Sequence, residues 1–388
     1  MLTTGLMAQE RSVGVAEALV KSGFTNVRAV ENDSLFVVTV ENDAYKLQAS
    51  GLAAAIRVLE EQGVMDGKSV KIVATYYNVP QVTLTYNPAV GRWKTSYRLD
   101  DGWKLVKREA KSNSSIGNVD IVVYPQLSLM NLIIDQVYQS LWQLSPAVEF
   151  SPWPGAKVSA QVKIPLFNDG YGELEDKVHP GLITLSQRFR IPGNIFGRVS
   201  AGLFSNNRHG VALDLYHPFS FNERFSIEGS FSMLGLSYWR GFEFHYNVSS
   251  PVLKPYWSAK VNYYSPLLGS QFSAKVQKFL LDDYGVKGEM VRHFRYCSIG
   301  FYLEKGLNSY ARLNGGFSFA ITLPPYRYRR YGHAPRVTTS FIGMTYNANN
   351  EQRWFKENKY EAGDNIMEKN GFNPYYIDKE ISRYNINY

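Results

Sequence analysis

The sequence holds one cysteine, Cys297, which excludes an intramolecular disulfide, and no cysteine–histidine cluster spaced for zinc. Cys297 falls on the apolar side of an alternating segment, where it reads as a small hydrophobe. There is no run of about 20 apolar residues, so no helix of the chain is expected to cross a membrane. His179, His209, His217, His245, His293 and His333 form no H-x-x-x-H or H-E-x-x-H pair, and no G-x-S-x-G elbow or phosphate-binding glycine loop occurs. On these absences the chain is expected not to be an enzyme, with no catalytic residue, no metal and no cofactor.

What is present points elsewhere. Aromatic residues make up 14% of the chain and tyrosine alone contributes 27, a composition that favours amphipathic rings. The formal charge of +8 suggests anionic partners, yet the basic residues are scattered except at YRYRRYGH, Tyr326 to His333. Rings and guanidinia interleave there as they do in nucleic-acid stacking sites, but a loop meeting anionic glycan accounts for the pattern equally well, and nucleic acid is not expected as a partner.

The first ten residues, MLTTGLMAQE, end like the tail of a secretory signal peptide, so residues 1–10 are read as a signal-peptide remnant and export is expected. Residues 11–115 read as a small α/β domain. RSVGVAEALVKSGF is a helix with Val15, Leu19 and Val20 toward a core, and SGLAAAIRVLEEQGV is a second helix capped near Ser50. SLFVVTV, AYKLQ, SVKIVATYY and QVTLTYN read as its strands.

Residues 116–347 change character. Apart from one amphipathic helix candidate, LMNLIIDQVYQSLWQL, they consist of segments alternating apolar with polar, separated by turns such as SNNRHG, SFNE and DDYG. Val199, Val211, Leu215, Ile227, Phe231, Val261 and Val276 fall on one face, and Arg198, Asp214, Glu228, Glu243, Lys260, Lys275, Lys287 and Glu289 on the other. A soluble sandwich also alternates. Strands of about ten residues, aromatics at strand ends (Tyr238-Trp239, Tyr256-Trp257, Tyr263-Tyr264) and about fourteen segments favour a transmembrane antiparallel β-barrel, with the charged set facing its lumen. Glu228 and Glu243 then read as ion-pair partners of Arg198, Lys260 or Lys275 rather than as a general acid and base.

Residues 278–324 also carry a resemblance. Lys278, Phe279 and Leu280 lead into Asp283 and Gly285, then Arg292 and Phe294, then Gly316, Phe317, Phe319, Ile321, Leu323 and Pro324. With the hairpin VSAGLFSNNRHGVALDLYHPF, this order resembles the YjbH-like exopolysaccharide biosynthesis family of outer-membrane barrels. The resemblance implies an outer-membrane protein with a small periplasmic domain, engaged in export or assembly of a surface polysaccharide, with outer-membrane lipid, lipopolysaccharide and anionic polysaccharide as partners. The alternative is a structural or partner-docking subunit of a larger envelope complex with a plugged barrel, in which the N-terminal domain and a polar periplasmic tail, residues 348–388, bind other envelope proteins. Counting hairpins places Asn168–Val178 and Pro324–Pro335 outside the cell, so that Tyr326, Arg327, Tyr328, Arg329 and Arg330 meet glycan or lipopolysaccharide, with DDYG and IPGN as short periplasmic turns.

Overall fold

The protein is described by a computed structural model over residues 2–45, 47–131, 138–246, 252–307, 313–321, 336–337, 342–347, 355–364 and 370–386. The N-terminal part opens with α1 (Leu2–Lys21), one unbroken helix, so residues 2–10 and the next eleven belong to a single element. Val15 and Leu19, four apart on its buried stripe, are fully excluded from solvent. A hairpin follows, β1 (Phe24–Glu31) and β2 (Leu35–Asn42), then α2 (Gln48–Glu61) as the crossover that lets β3 (Ser69–Tyr76) run parallel to β2. Tyr77 and Asn78, both at positive φ, turn β3 into β4 (Val79–Asn87), and β5 (Arg92–Ser96) completes a five-stranded sheet ordered β1-β2-β3-β4-β5. The short α3 (Asp101–Val106) covers the other face, over Val37 and Val73.

Two local expectations fail here for identifiable reasons. AYKLQ is not a strand, because the Asn42 side chain accepts from Tyr45 N–H and donates to the carbonyls of Tyr45 and Leu47, holding a turn that feeds α2; Lys46 lies outside the described residues. Ser50 is no cap: α2 begins at Gln48 without a side-chain cap. β1 shows no clean alternation along the sequence because it is broken at a bulge, where Asn26 takes φ 53.

The rest is mainly β. β6 (Val119–Asn131), β7 (Tyr138–Phe150), β8 (Ala156–Asn168), β9 (His179–Ile191), β10 (Ile195–Phe204), β11 (Arg208–Pro218), β12 (Phe225–Arg240), β14 (Lys254–Ser265), β15 (Ser270–Lys278), β16 (Tyr284–His293), β17 (Cys297–Gly306), β18 (Asn314–Ile321) and β20 (Ile342–Asn347) pair antiparallel in that order. β13 (Glu243–Tyr246) pairs only with the end of β12, and β19 (Arg336–Val337) lies parallel to β6. The sheet curls until β20 lies beside β6. LMNLIIDQVYQSLWQL is not a helix: it belongs to β6 and β7, with residues 132–137 outside the described set, and burial from Leu141 to Ser145 alternates with a period of two.

The N-terminal module sits against one end of this sheet. Gly155 N–H donates to the Tyr77 carbonyl at 2.7 Å, Ser96 Oγ to Glu223 at 2.7 Å, and the hydroxyls of Tyr97 and Tyr216 lie 3.0 Å apart. The tail then departs from the expected course. β20 ends at Asn347 at the far end from the module, Phe355 packs on Phe279 there, and Asn206 donates to the Glu357 carbonyl. Residues 355–364 continue along the interior, Asn370 bonds His293 at the module end, and α4 (Pro374–Ile386) places Ile377 and Ile381 in the module's own core. The tail is therefore not a free polar extension; it threads the sheet's interior and finishes as part of the module.

The dock of α4 carries a pH dependence. Asp378 accepts from the Thr95 N–H of β5 at 2.9 Å, and its burial pushes the carboxyl up to about 6 against an ordinary 3.8, opposed by that hydrogen bond. Because the folded value is raised, the docked form binds the proton more tightly. Its stability is full below pH 3.8 and declines as pH rises through about 6, by at most about 3 kcal/mol. The protection of the Thr95 amide, its exchange rate relative to the intrinsic base-catalysed rate at each pH, should fall from pH 4 to 8 in the native chain and lose that step in Asp378→Asn.

Candidate functional site

Pleating sends alternate residues to opposite sides, and here the sides are reversed from those of a soluble core. The apolar set points outward and is exposed: Val199 44%, Val211 48%, Val261 52%, Val286 51% and Phe301 54%. The polar set points inward and is buried, with Ser186, Ser200, Gln161 and Thr184 at 3% or less.

Among these inward groups the charges meet in register. Arg198 stands opposite Asp214 on β11 and contacts it at 2.7 Å. Glu228 stands opposite Lys260, at 3.1 Å, and Lys260 is followed across the sheet by Lys275, Lys287 and Glu304 on successive strands. Glu149 and Lys157 pair at 2.9 Å, both nearly fully buried, and the Tyr124 hydroxyl donates to Glu149. The tail supplies the remaining carboxylates. Arg188 donates to Glu361 at 2.6 Å, with Arg198 at 3.7 Å and Lys157 at 3.9 Å from the same group. Asp364 lies 2.6 Å from Arg198, and Glu357 lies 2.9 Å from Lys275 and 3.6 Å from Lys287.

A cavity of about 1230 Å³ lies between this wall, the tail and the module. Arg188 spans the boundary, its guanidinium 5.1 Å and 4.9 Å from the ring centres of Tyr76 and Tyr77. On the module side Glu41 borders the same space; its burial, with Asp43 adding, raises its carboxyl to about 7, against hydrogen bonds from Asn78 N–H and the Thr75 hydroxyl.

Of the residues singled out from the sequence, Arg198, Asp214, Glu228, Lys260, Lys275, Lys287 and Glu289 line this interior space. Glu243 does not: its side chain is 81% exposed on β13, which folds back antiparallel on the end of β12 beyond the main sheet, so the alternation that assigned it inward has no wall to refer to. Tyr326, Arg327, Tyr328, Arg329 and Arg330 lie outside the described residues. The strand ends that flank them, Ile321 and Ile342, are register partners opposite the β17 terminus at Cys297, next to the turn whose Arg295 meets Glu380 of α4. That connection leaves and returns at the module end, not the opposite one. Asp282–Gly285 is likewise reversed, at the far end, whereas Ile191–Asn194 is at the module end, where Arg190 donates to the carbonyls of Pro80 and Gln81.

Residues not singled out beforehand complete the site: Glu149, Lys157, Arg188 and Glu304 on the wall, and Glu357, Glu361 and Asp364 on the tail. Arg188 was legible, since Thr184, Ser186 and Arg188 alternate with Ile183 and Leu185. The tail carboxylates carried no periodic signal.

The sequence matches no family model and no curated protein. A solved structure of OmpTdeltaL8, a loop L8 deletion mutant of OmpT, an outer membrane protein of Vibrio cholerae, is similar over 53% of this chain and 87% of that one, at 9% identity and a TM-score of 0.25. Likeness of that size carries no argument about activity. The expectation that the chain is not an enzyme is corrected here. It rested on spacing along the chain, and the interior gathers Glu149, Lys157 and Arg188, from three successive strands, and Glu361, from the distant tail, into one cluster of ion pairs. Sequence spacing therefore excludes no chemistry at this wall.

Proposed function

We propose that the protein is an outer-membrane β-barrel, its wall running from β6 to β20 through thirteen of the described strands where the sequence suggests about fourteen, with its lumen occupied by its own tail and one mouth covered by a periplasmic module. The observation that carries this reading is the reversed burial: a water-soluble sheet would hide Val211, Val261 and Phe301 and expose its lysines, and this one does the opposite. Lipid is the solvent that favours such a surface, and closure supplies the hydrogen bonds that lipid cannot.

The threaded tail supports a plugged subunit that docks partners through its module and serves in assembly or export of a surface polysaccharide. A second reading, direct passage of polysaccharide, is favoured by the tyrosines and charged groups around the cavity, which offer stacking and hydrogen bonds to sugars. Membrane fractionation tests the location: the protein is expected with the outer membrane, migrating faster on gels before heating than after. Recovery in the soluble periplasmic fraction overturns the barrel. Deleting the gene while monitoring surface glycan tests the tie to polysaccharide that both readings share: loss of glycan with other outer-membrane proteins intact is the expected result, and unchanged glycan overturns it.

A further inference from the structure

The interior wall sets like charges side by side. Lys260 is the register partner of Lys275, and Lys275 of Lys287; on the other side Arg188 is the register partner of Arg198. Like charges directly opposite on neighbouring strands destabilise a sheet, and weak screening in a confined interior increases the cost. Holding the wall together does not require them. Neutral polar residues occupy neighbouring inward positions, such as Ser186 on β9 and Gln277 on β15, and are almost fully buried there. Wall carboxylates at Asp214, Glu228 and Glu304 flank the ends of the rows, while the carboxylates that bridge members of a row come from the tail. Glu357 bridges Lys275 and Lys287, and Glu361 bridges Arg188 and Arg198.

We infer that the lumen is an anion-binding passage for small carboxylate- or phosphate-bearing solutes, and that the tail is its internal blocker, with Glu357, Glu361 and Asp364 in the places such anions take. This rests on the barrel reading above. The guanidinium forks of Arg188 and Arg198 suit the paired oxygens of carboxylate and phosphate, and the lysine row offers point charges to the same groups. The blocker is held at both ends, by β20 at the far end and by α4 in the module, where Ile377 is 0% and Ile381 3% exposed. Opening is therefore opposed by two holds, the α4 latch in the module and the ion pairs of the tail carboxylates with the wall.

The test uses the full-length protein in planar bilayers of phosphatidylethanolamine and phosphatidylglycerol under a potassium chloride gradient. Ile377→Asp releases the latch, and Glu357→Gln with Glu361→Gln and Asp364→Asn weakens the blocker without touching the module's core. Native protein is expected to open rarely. Each variant should raise open probability at least about tenfold, with chloride preferred over potassium by about threefold or more and chloride current blocked by added inorganic phosphate. Adding Lys260→Gln, Lys275→Gln and Lys287→Gln to either variant should bring the permeability ratio toward about one. Potassium preference in the opened variants, a chloride preference unchanged by loss of the lysine row, or no conductance in any variant overturns the inference. In the last case heat-modifiable migration of the same preparation decides the barrel reading separately: retained, the barrel stands without the passage; lost, both fall.

Discussion

Glu361→Ala is expected to lower the unfolding free energy by about 3–5 kcal/mol, the effect of leaving buried charge uncompensated. Glu361 is 3% exposed and is the carboxylate on which Arg188, Arg198 and Lys157 converge. Its removal leaves the Arg188 guanidinium stacked over Tyr76 and Tyr77 without the acceptor that holds it at 2.6 Å. Asp214, Asp364 and Glu149 still serve Arg198 and Lys157, so the loss concentrates at Arg188. Combining Glu361→Ala with Arg188→Met should recover a substantial part of the loss, because the stranded charge then goes as well. Denaturant titration in detergent micelles measures both, and a Glu361→Ala effect below about 1 kcal/mol would show that the tail does not neutralise this wall.

The second large effect distinguishes lipid from water at the outer face. Val261 is 52% exposed on the sheet and Val90 is 62% exposed on the module, so on burial alone arginine should be tolerated at both. If the outer face of β14 meets hydrocarbon, Val261→Arg costs about 2–4 kcal/mol, whereas Val90→Arg stays within about 0.5 kcal/mol. Folding into phosphatidylcholine vesicles, read by tryptophan fluorescence across a denaturant series, provides the two numbers. Equal tolerance at the two valines would place water around the sheet and remove the basis for the membrane reading.

Much of the sheet is legible along the chain because pleating is local. Residues i and i+2 share a face whatever the rest of the molecule does, so Arg198 with Ser200, or Lys275 with Gln277, can be assigned to one side from a few neighbours. The same rule misleads where its local condition fails. Glu243 alternates correctly but on a strand that extends past the sheet, and LMNLIIDQVYQSLWQL is amphipathic under either period, so its ladder partners decided between helix and strand.

What alternation determined by itself is the pair of faces, one apolar and one charged, and the division between a small α/β module and a long β region. Which end of the sheet each turn occupies was decided only in three dimensions, because that depends on the running parity of strands, and one extra strand counted in the wall, as Glu243–Tyr246 is along the sequence, reverses every later connection. The placement of Asp282–Gly285 and of the ends flanking Tyr326–Arg330 changed for that reason. The tail's role was also beyond the sequence. Glu361 meets Arg188 across 173 residues, and no period or spacing encodes that distance. It arises when the curled sheet gathers Lys157, Arg188 and Arg198 on one interior wall, and their combined field holds Glu361, with Asp364 beside it on Arg198, as the returning chain passes.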